Sequence, residues 1–250
     1  MLSVKRHEII MEKLLQERSV TVSELGSLLG VTEKTVREDL EKLEQKGLLR
    51  RMRGGAVLAV EEDAGLLSVE TPNTKLLPEK LQAARKALRY IEPNDIIALD
   101  GGSTTLELAK LLENEPLTVI TNDVYIIGEL ARKDRIRLVV PGGQRTRNLL
   151  VGEEGVNALR RMNIRKAFIT ATGIHPEYGL TIYTGALVEQ KQTMMERAEK
   201  VYVVADHSKF DKSALLTFAK LSDLDLIITD SGLTPERAER YRNAGVGIDL

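Results

Sequence analysis

The sequence predicts an α/β protein with two domains, a small helical one at the N-terminus and a larger one built on a parallel sheet. Two helical segments joined by a tight turn at residues 21–46, with a basic glycine-containing run directly after them, indicate the first domain. The second is indicated by short apolar runs that alternate with amphipathic segments from about residue 75 onward. Strands that are apolar on both faces and separated by helices are typical of a parallel sheet covered on both sides.

Composition excludes several kinds of site. The 250 residues are 42% hydrophobic and 29% charged with a formal net charge of -1, so charge alone does not indicate a nucleic-acid partner. The absence of cysteine excludes disulfides and thiolate metal sites, and the three histidines show no ligand spacing. There is no signal peptide and no apolar run long enough to span a membrane. We therefore expect a cytoplasmic protein without a metal or other cofactor.

Two capped helices are predicted between residues 21 and 46, behind an earlier helix at residues 4–17. Thr21 and Glu24 have the spacing of a capping box, and Gly30 can adopt the left-handed conformation that ends a helix. Thr32 is a natural N-cap for the next helix. The apolar faces are expected to consist of Leu25, Leu28 and Leu29 in one helix and of Val36, Leu40 and Leu43 in the other.

The second of these helices has the features of a recognition helix. Its exposed side near the N-terminus is expected to carry Lys34, Thr35, Arg37 and Glu38. Basic and hydroxyl side chains in that position suit contact with a DNA major groove. An ordinary helical hairpin with a solvated charged face is the alternative, and the spacing alone does not separate the two.

A basic hairpin follows and favours DNA binding. Two short extended runs flank Gly54 and Gly55, and Lys46, Arg50, Arg51 and Arg53 form a cluster without an acidic residue. A hairpin in this position makes a wing whose arginines contact phosphates or the minor groove. The candidate DNA-binding residues are Lys34, Thr35, Arg37, Glu38, Arg50, Arg51 and Arg53.

This region resembles the DNA-binding domain of the DeoR family of bacterial repressors, which implies a winged helix-turn-helix fold. The resemblance is carried by Val31, Thr32, Thr35, Val36, Arg37, Asp39, Leu40, Leu43, Gly47, Leu49, Arg51 and the closing Gly54, Gly55 and Ala56. Family members usually have a second arginine where this chain has Glu38. That carboxylate can accept a hydrogen bond from cytosine, and an intrahelical pair with Lys34 or Lys42 is the alternative.

An acidic, turn-rich stretch separates the two predicted domains, which we place at residues 1–58 and 75–250 with a linker at 59–74. A helix is expected from Pro78 onward. The predicted strands are residues 96–100, 117–120, 136–140, 166–170, 201–205 and 225–229, with helical segments between them. This order predicts a Rossmann-like α/β domain.

Small and polar residues follow five of the six predicted strands, at the edge where ligands of such sheets bind. Residues 100–105, with the sequence DGGSTT, precede a helix and suit a monophosphate, because glycine amides and a helix N-terminus favour an anion. A plain turn of small residues is the alternative. The run matches neither a dinucleotide fingerprint nor a Walker motif.

Five such strand ends together favour a sugar-like ligand, and a lysine on a later helix could supply a point charge for its phosphate. The candidate effector-binding residues are Asp100, Gly101, Gly102, Ser103, Thr104, Thr105, Thr121, Asn122, Gly142, Gly143, Thr172, Gly173, Lys191, Asp206, Ser208 and Lys209.

The same segments resemble the effector domain of DeoR-type repressors. That resemblance implies a fold similar to ribose-5-phosphate isomerase and the sensing of phosphorylated sugars or related metabolites. By position it carries over the phosphate turn and Lys191. Leu187 departs from the family, because many relatives have an acid one turn before the lysine.

Two functions remain open at this point. The first is a homo-oligomeric repressor, dimer or tetramer, that binds operator DNA under control of a sugar phosphate. The second is a sugar-phosphate isomerase with an appended DNA-binding module, since Asp100, Asp123 and Asp206 offer carboxylates for a general base. A catalyst has no need of residues 1–57, and we expect the protein not to be an enzyme.

Overall fold

A computed structural model describes residues 2–17, 19–45, 48–58 and 75–250. Lys46 and the predicted linker at 59–74 lie outside the described residues. The rest forms a helical N-terminal domain with a small sheet and a larger α/β domain, which confirms the predicted fold class.

The N-terminal domain contains helices α1 (Ser3–Glu17), α2 (Val22–Leu29) and α3 (Glu33–Gln45) and strands β1 (Ser19–Thr21), β2 (Leu49–Met52) and β3 (Gly55–Leu58). Strand β3 lies between β1 and β2 and is antiparallel to both. The predicted wing is the β2–β3 hairpin, which turns at Gly54 with φ 85°. Gly55 allows close packing, because a Cβ there would lie 2.0 Å from the carbonyl oxygen of Val20.

The predicted caps of α2 and α3 are confirmed. Glu24 N donates to Thr21 Oγ1 at 3.2 Å, and Thr21 N donates to the Glu24 carboxylate at 3.0 Å. Gly30 ends α2 in the left-handed region at φ 64°. Thr35 N donates to Thr32 Oγ1 at 3.3 Å, so Thr32 caps α3. Local sequence therefore determines where both helices of the turn begin.

The core of this domain agrees with the predicted apolar stripe of α3, since Val36, Leu40 and Leu43 are buried. The prediction for Leu28 is wrong, because that side chain is 53% exposed. Helix α2 starts at Val22 and buries residues 22, 25 and 29. Leu28 is rotated by about 100° from Leu29 around the helix, which turns it to solvent.

The larger domain contains six helices and twelve strands among the described residues. The helices are α4 (Leu77–Leu88), α5 (Ser103–Leu111), α6 (Val124–Leu130), α7 (Glu153–Leu159), α8 (Val188–Glu196) and α9 (Pro235–Asn243). The strands are β4 (Ile96–Leu99), β5 (Leu117–Ile120), β6 (Ile136–Val139), β7 (Gln144–Thr146), β8 (Leu149–Val151), β9 (Ile164–Ile169), β10 (Gly173–His175), β11 (Gly179–Ile182), β12 (Ala198–Val204), β13 (Leu216–Ala219), β14 (Leu226–Ile228) and β15 (Gly247–Asp249).

Seven of these strands form one parallel sheet in the order β15-β14-β12-β9-β4-β5-β6. All six predicted strands are present in it, and β15 is an addition. Both faces are apolar: Ile97 and Leu99 of β4 pack in one core, and Ala98 packs in the other. Helices α4, α5 and α6 supply the first core, and α8 and α9 contribute to the second.

Two smaller β structures cover the carboxyl edge of this sheet and were not predicted. Strands β10, β11 and β13 form an antiparallel sheet, and β7 pairs with β8 in a hairpin. Their strands have only three or four residues, and β11 pairs with a strand more than thirty residues away. Among the described residues, no helix is both long and apolar enough to cross a membrane.

Candidate DNA interface and effector site

The exposed side of α3 carries the predicted reading residues. Lys34, Arg37 and Glu38 are exposed, and Thr35 is half-buried with its hydroxyl 3.0 Å from that of Thr32. Arg37 donates to the Glu33 carboxylate at 2.7 Å, one turn earlier. Within the described part of the chain, Glu38 forms no ion pair with Lys34 or Lys42. Its carboxylate is therefore available to a DNA partner.

The opposite side of α3 is tied to α1 by a buried carboxylate, Asp39, which the sequence analysis gave no role beyond the family resemblance. Asp39 is 1% exposed and accepts hydrogen bonds from Arg6 Nε at 2.6 Å and Arg6 Nη2 at 3.0 Å. His7 Nε2 lies 3.1 Å from the same carboxylate. Burial opposes ionisation, yet the bonds from Arg6 and His7 outweigh it and hold the pKa of Asp39 below its usual value.

The position of Asp39 within the apolar stripe was a usable signal. It falls three residues after Val36 and next to Leu40, on the side of α3 that is buried. A charged residue at a core-facing position predicts a buried partner. Because α1 supplies that partner, Asp39 sets the position of the recognition helix relative to α1.

The wing is joined to α3 by Arg51. Its backbone N–H and Nε donate to the Glu44 carboxylate at 2.8 and 2.6 Å, and the bond from the backbone is the main cause that lowers the pKa of Glu44. Arg50 and Arg53 are exposed on the same hairpin. The hydrogen bonds of Arg51 thus hold the wing against the end of α3, and the hairpin carries Arg50 and Arg53 exposed to solvent.

The candidate effector site lies at the point where the order of the parallel strands reverses. From β4 the chain proceeds to β5 and β6 on one side, and β9, β12, β14 and β15 lie on the other. In open sheets of this kind, the loops after the two central strands diverge and leave a crevice at their carboxyl ends. Asp100 follows β4 and Thr170 follows β9, so both line that crevice.

A buried ion pair occupies the base of this crevice. Lys191 Nζ donates to Asp100 Oδ2 in a very short contact and to the carbonyl oxygen of Thr170 at 3.0 Å. Asp100 Oδ2 also accepts from Thr170 N at 2.8 Å and from Thr170 Oγ1 at 2.9 Å. Both charged side chains are 6% exposed. The lysine predicted to bind phosphate therefore also neutralises Asp100 at the start of the glycine turn.

The turn at residues 101–105 is packed closely and leads into α5. A Cβ at Gly101 would lie 2.2 Å from Leu149 Cδ2, and one at Gly102 would lie 2.8 Å from Thr170 Cγ2. Thr105 Oγ1 donates to the carbonyl oxygen of Asp100 at 2.6 Å, so this hydroxyl holds the turn. No side chain among the described residues caps the first amides of α5. Ser103 is half-buried there, and Thr104 is buried.

Asp123, proposed above as a possible base, has a structural role in the next loop. Its Oδ1 accepts from the N–H groups of Tyr125 and Ile126 at 2.8 and 3.2 Å, which caps α6. Its Oδ2 accepts from Asn148 Nδ2 at 2.6 Å. Burial raises the pKa of Asp123 to about 6 against these hydrogen bonds. The hairpin that carries Asn148 and Leu149 is thereby held over the glycine turn.

The remaining candidates line the same edge in two groups. Asn122 Nδ2 donates to the carbonyl oxygen of Leu150 at 3.0 Å, and Thr121 Oγ1 accepts from Asp123 N at 3.2 Å. Gly142 and Gly143 have φ of 98° and 117°. A Cβ at Gly143 would lie 2.6 Å from the carbonyl oxygen of Val151, so Asn122 and Gly143 both contact the β7–β8 hairpin.

The second group lies beyond β9. Thr172 is buried, and Gly173 begins β10, where a Cβ would lie 2.5 Å from the carbonyl oxygen of Lys212. Asp206 accepts from Ser208 N at 3.0 Å and caps a short turn at His207–Lys209, on the far side of β9 from Asp100. The structure thus brings together the candidate residues around β4, β5 and α8. Asp206, Ser208 and Lys209 lie further along the same edge and are separate from that group.

Three residues of this site were missed, namely Thr170, Asn148 and Gln190. Thr170 ends a predicted strand, and its register next to β4 was the available signal. Gln190 Nε2 donates to the same Leu150 carbonyl as Asn122, at 3.3 Å. Neither Asn148 nor Gln190 lies at the end of a parallel strand, so neither is among the residues that follow the predicted strands.

Family comparisons agree with this architecture in both domains. A DeoR-like helix-turn-helix domain matches residues 6–62, and a DeoR C terminal sensor domain matches residues 76–231. The chain belongs to the DeoR family. A DeoR protein of this type is a DNA-binding transcriptional regulator, which confirms the main functional prediction.

Relatives of this DeoR regulator match along almost its whole length. HTH-type transcriptional regulator IolR of Bacillus subtilis is 34% identical over 96% of both chains. A putative aga operon transcriptional repressor of Escherichia coli O157:H7 is 30% identical over 98% of this chain and 93% of its own. An L-fucose operon activator of Haemophilus influenzae is 32% identical over 94% of this chain and 95% of its own. These relatives are named as transcriptional regulators and not as enzymes, which favours the regulator over the isomerase alternative.

Among solved structures, ribose 5-phosphate isomerase A from Methanocaldococcus jannaschii matches with a TM-score of 0.40 and 19% identity, over 53% of this chain and 54% of its own. At that score the likeness supports no conclusion about what this DeoR protein binds.

Proposed function

We propose that this DeoR regulator represses genes of sugar metabolism and that a phosphorylated sugar or related metabolite controls it. The observation that carries the proposal is the buried Asp100–Lys191 pair beneath the glycine turn. Lys191 offsets the negative charge of Asp100, so an anion at the turn does not face an uncompensated carboxylate. The uncapped amides at the start of α5 and the Ser103 and Thr104 hydroxyls supply hydrogen-bond donors for a phosphate.

Buried acceptors near this turn support a ligand with hydroxyl groups. The side-chain oxygens of Asn122, Asn148, Gln190 and Thr172 have no hydrogen-bond partner within the described residues. The amide nitrogens of Asn122 and Gln190 donate to a carbonyl oxygen and that of Asn148 to a carboxylate, so the free atoms are the amide oxygens. A buried acceptor without a donor is unfavourable. Sugar hydroxyls can donate to such oxygens.

The two domains are proposed to have different functions. Residues 1–58 bind operator DNA through α3 and the wing, 59–74 connect the domains, and 75–250 bind the effector and form the oligomer. A single winged helix buries too little surface for tight specific binding, which favours a dimer or tetramer.

A protein that regulates chromosomal operators acts in the cytoplasm. The relatives named above include both a repressor and an activator, so a promoter–reporter fusion tests the sign of regulation.

A thermal-shift experiment tests effector binding. Ribose 5-phosphate, glucose 6-phosphate and fructose 1-phosphate are each compared with the unphosphorylated parent sugar, since a ligand that binds the native state raises Tm. We expect a phosphorylated sugar to raise Tm and its parent sugar not to do so. Ser103→Ala, a mild change at a half-buried position, should reduce the shift. Equal stabilisation by a parent sugar would refute the phosphate assignment.

Lys191→Met is the stronger variant, and it needs a control for stability. Loss of one partner from a buried ion pair costs about 3–5 kcal/mol. The Asp100→Asn, Lys191→Met double variant removes both charges and should recover much of the lost stability without recovering the ligand-induced shift. Recovery of the shift in the double variant would exclude Lys191 as a phosphate contact.

A further inference from the structure

One surface of the sensor domain packs into the core of the DNA-binding domain. Tyr183 is 9% exposed and belongs to the same buried cluster as Ile10, Leu14 and Leu40 of that domain. Ala214 and Leu215 pack against this cluster as well. We call Tyr183, Gly185, Ala214 and Leu215 the docking surface.

Helix α1 lies against the docking surface at close range. A Cβ at Gly185 would lie 1.9 Å from Glu8 Oε1 and 3.0 Å from Glu8 Cδ. The Glu8 carboxylate therefore lies directly against the backbone of Gly185. Helix α1 thus contacts the docking surface at Gly185, next to the apolar contacts of Tyr183, Ala214 and Leu215.

Docking leaves the DNA-binding side of the domain free. Lys34, Arg37 and Glu38 of α3 remain exposed, and so do Arg50 and Arg53 of the wing. The docking surface thus does not block DNA. It holds α3 and the wing at one position relative to the sensor domain.

The docking surface is built on the elements that carry the proposed effector site. A short 3-10 turn at Gly185–Leu187 runs directly into α8, which carries Lys191. Lys191 lies six positions after Gly185, a span of roughly 9–12 Å along a helical backbone. Lys191 and the contact with α1 therefore lie on one short, continuous helical segment.

A second connection runs through the small sheet. Ala214 N donates to Thr181 Oγ1 at 2.8 Å, and Thr181 Oγ1 donates to the carbonyl oxygen of Gly173 at 3.1 Å. Thr172 N donates to the carbonyl oxygen of Thr181 at 3.0 Å. Thr172 and Gly173 are candidate effector residues. Hydrogen bonds therefore connect Ala214 of the docking surface to the effector site, as α8 connects Gly185 to it.

We infer that the docking surface transmits effector binding to the DNA-binding domain by changing how α1 packs against Tyr183, Gly185 and Leu215. This inference rests on the proposed effector site. An effector shifts DNA affinity only if it prefers one of two arrangements of the domains. The docked arrangement is one of these two arrangements. Few side chains maintain it, so effector binding can shift the equilibrium between the two.

The variant Leu215→Glu tests the docking surface in the full chain, with Leu215→Ala as a milder form and Leu250→Glu as the control. Leu250 is 38% exposed and lies outside the core of the DNA-binding domain. Without any effector, amide hydrogen exchange in α1 should be faster in Leu215→Glu and in Leu215→Ala than in the wild type and in Leu250→Glu. Unchanged exchange in both Leu215 variants would overturn docking.

Transmission is tested by operator affinity with and without the three sugar phosphates used above. In the wild type and in Leu250→Glu, a bound probe should change Kd for operator by roughly 5- to 150-fold. In Leu215→Glu the change should fall to within about twofold, while the probe still raises Tm. An unchanged factor in Leu215→Glu would overturn transmission. If no probe raises Tm in the wild type, the proposed function and the transmission both fail, and hydrogen exchange still decides docking.

Discussion

The buried carboxylate of Asp39 is expected to determine the stability of the DNA-binding domain. Asp39→Ala removes the two bonds that Asp39 accepts from Arg6, at 2.6 and 3.0 Å, and so breaks a buried ion pair. Breaking one side of a buried ion pair costs about 3–5 kcal/mol. The Arg6 side chain is 14% exposed and can recover some hydration, which places the expected loss near the lower limit.

A loss of about 3 kcal/mol is large for a domain of this size, whose total stability is roughly 3–9 kcal/mol at 0.05–0.15 kcal/mol per residue. Native-state hydrogen exchange on the full chain measures it, with α3 amides as the readout and α8 amides as an internal reference. Glu41→Ala is the matched control, because Glu41 is an exposed acid on the same helix. A double variant, Arg6→Leu with Asp39→Leu, should lose less than Asp39→Ala alone.

The pH dependence gives an independent check. Since the pKa of Asp39 is lower in the folded state, its contribution to stability is fully present above the unfolded pKa of about 4 and is lost as pH falls through the folded value. The difference between wild type and Asp39→Ala should therefore shrink at acid pH. A loss below about 1 kcal/mol at neutral pH, the level of a surface pair, would refute the assignment of Asp39 as a buried anchor.

Four further predictions concern DNA binding and the sensor domain. Glu38→Arg should change the preferred base at one position per half-site, by about 1–3 kcal/mol in discrimination, when operators are selected from random DNA; identical consensus sites would leave Glu38 as a surface charge. Arg53→Ala should reduce the magnitude of the log–log salt slope of DNA binding by about 0.9, and an unchanged slope would exclude a phosphate contact. Arg51→Ala should in addition increase hydrogen exchange in the wing, because it removes the bond to Glu44. For Asp123, whose pKa is raised to about 6, stability should fall as pH rises from about 4 to 6, and Asp123→Asn should flatten that slope in thermal unfolding.

Short-range patterns were sufficient for much of the fold. The capping box at Thr21, the glycine stop at Gly30 and the stripe on α3 depend on residues within one or two turns, and all are confirmed. The six predicted parallel strands are continuous apolar runs, which burial on both faces requires. Strands β10, β11 and β13 lack such a run, and the pairing of β11 with β13 joins segments more than thirty residues apart.

The candidate site was predicted in part for the same reason. Asp100 and the glycine turn follow a strand directly, so the topology of a parallel sheet places them at the carboxyl edge. Asn148 comes from a hairpin that folds back over the turn, and Gln190 comes from a helix. Both residues are far from any strand end in the sequence, so the sequence alone does not show that they lie close to the glycine turn.

The sequence by itself determined the family, the two-domain organisation and the chemistry available at each strand end, because caps, periodicity and turn residues act locally. Only the tertiary structure decided which charges are paired. Lys191 and Asp100 are 91 residues apart, as the chain is numbered, and Arg6 and Asp39 are 33 apart. Pairing across such separations depends on how whole elements pack, since burial makes an unpaired charge unfavourable wherever the fold places it. The docking of Tyr183 against the DNA-binding domain has the same origin, because an apolar residue at the end of a strand has no local signal for what covers it.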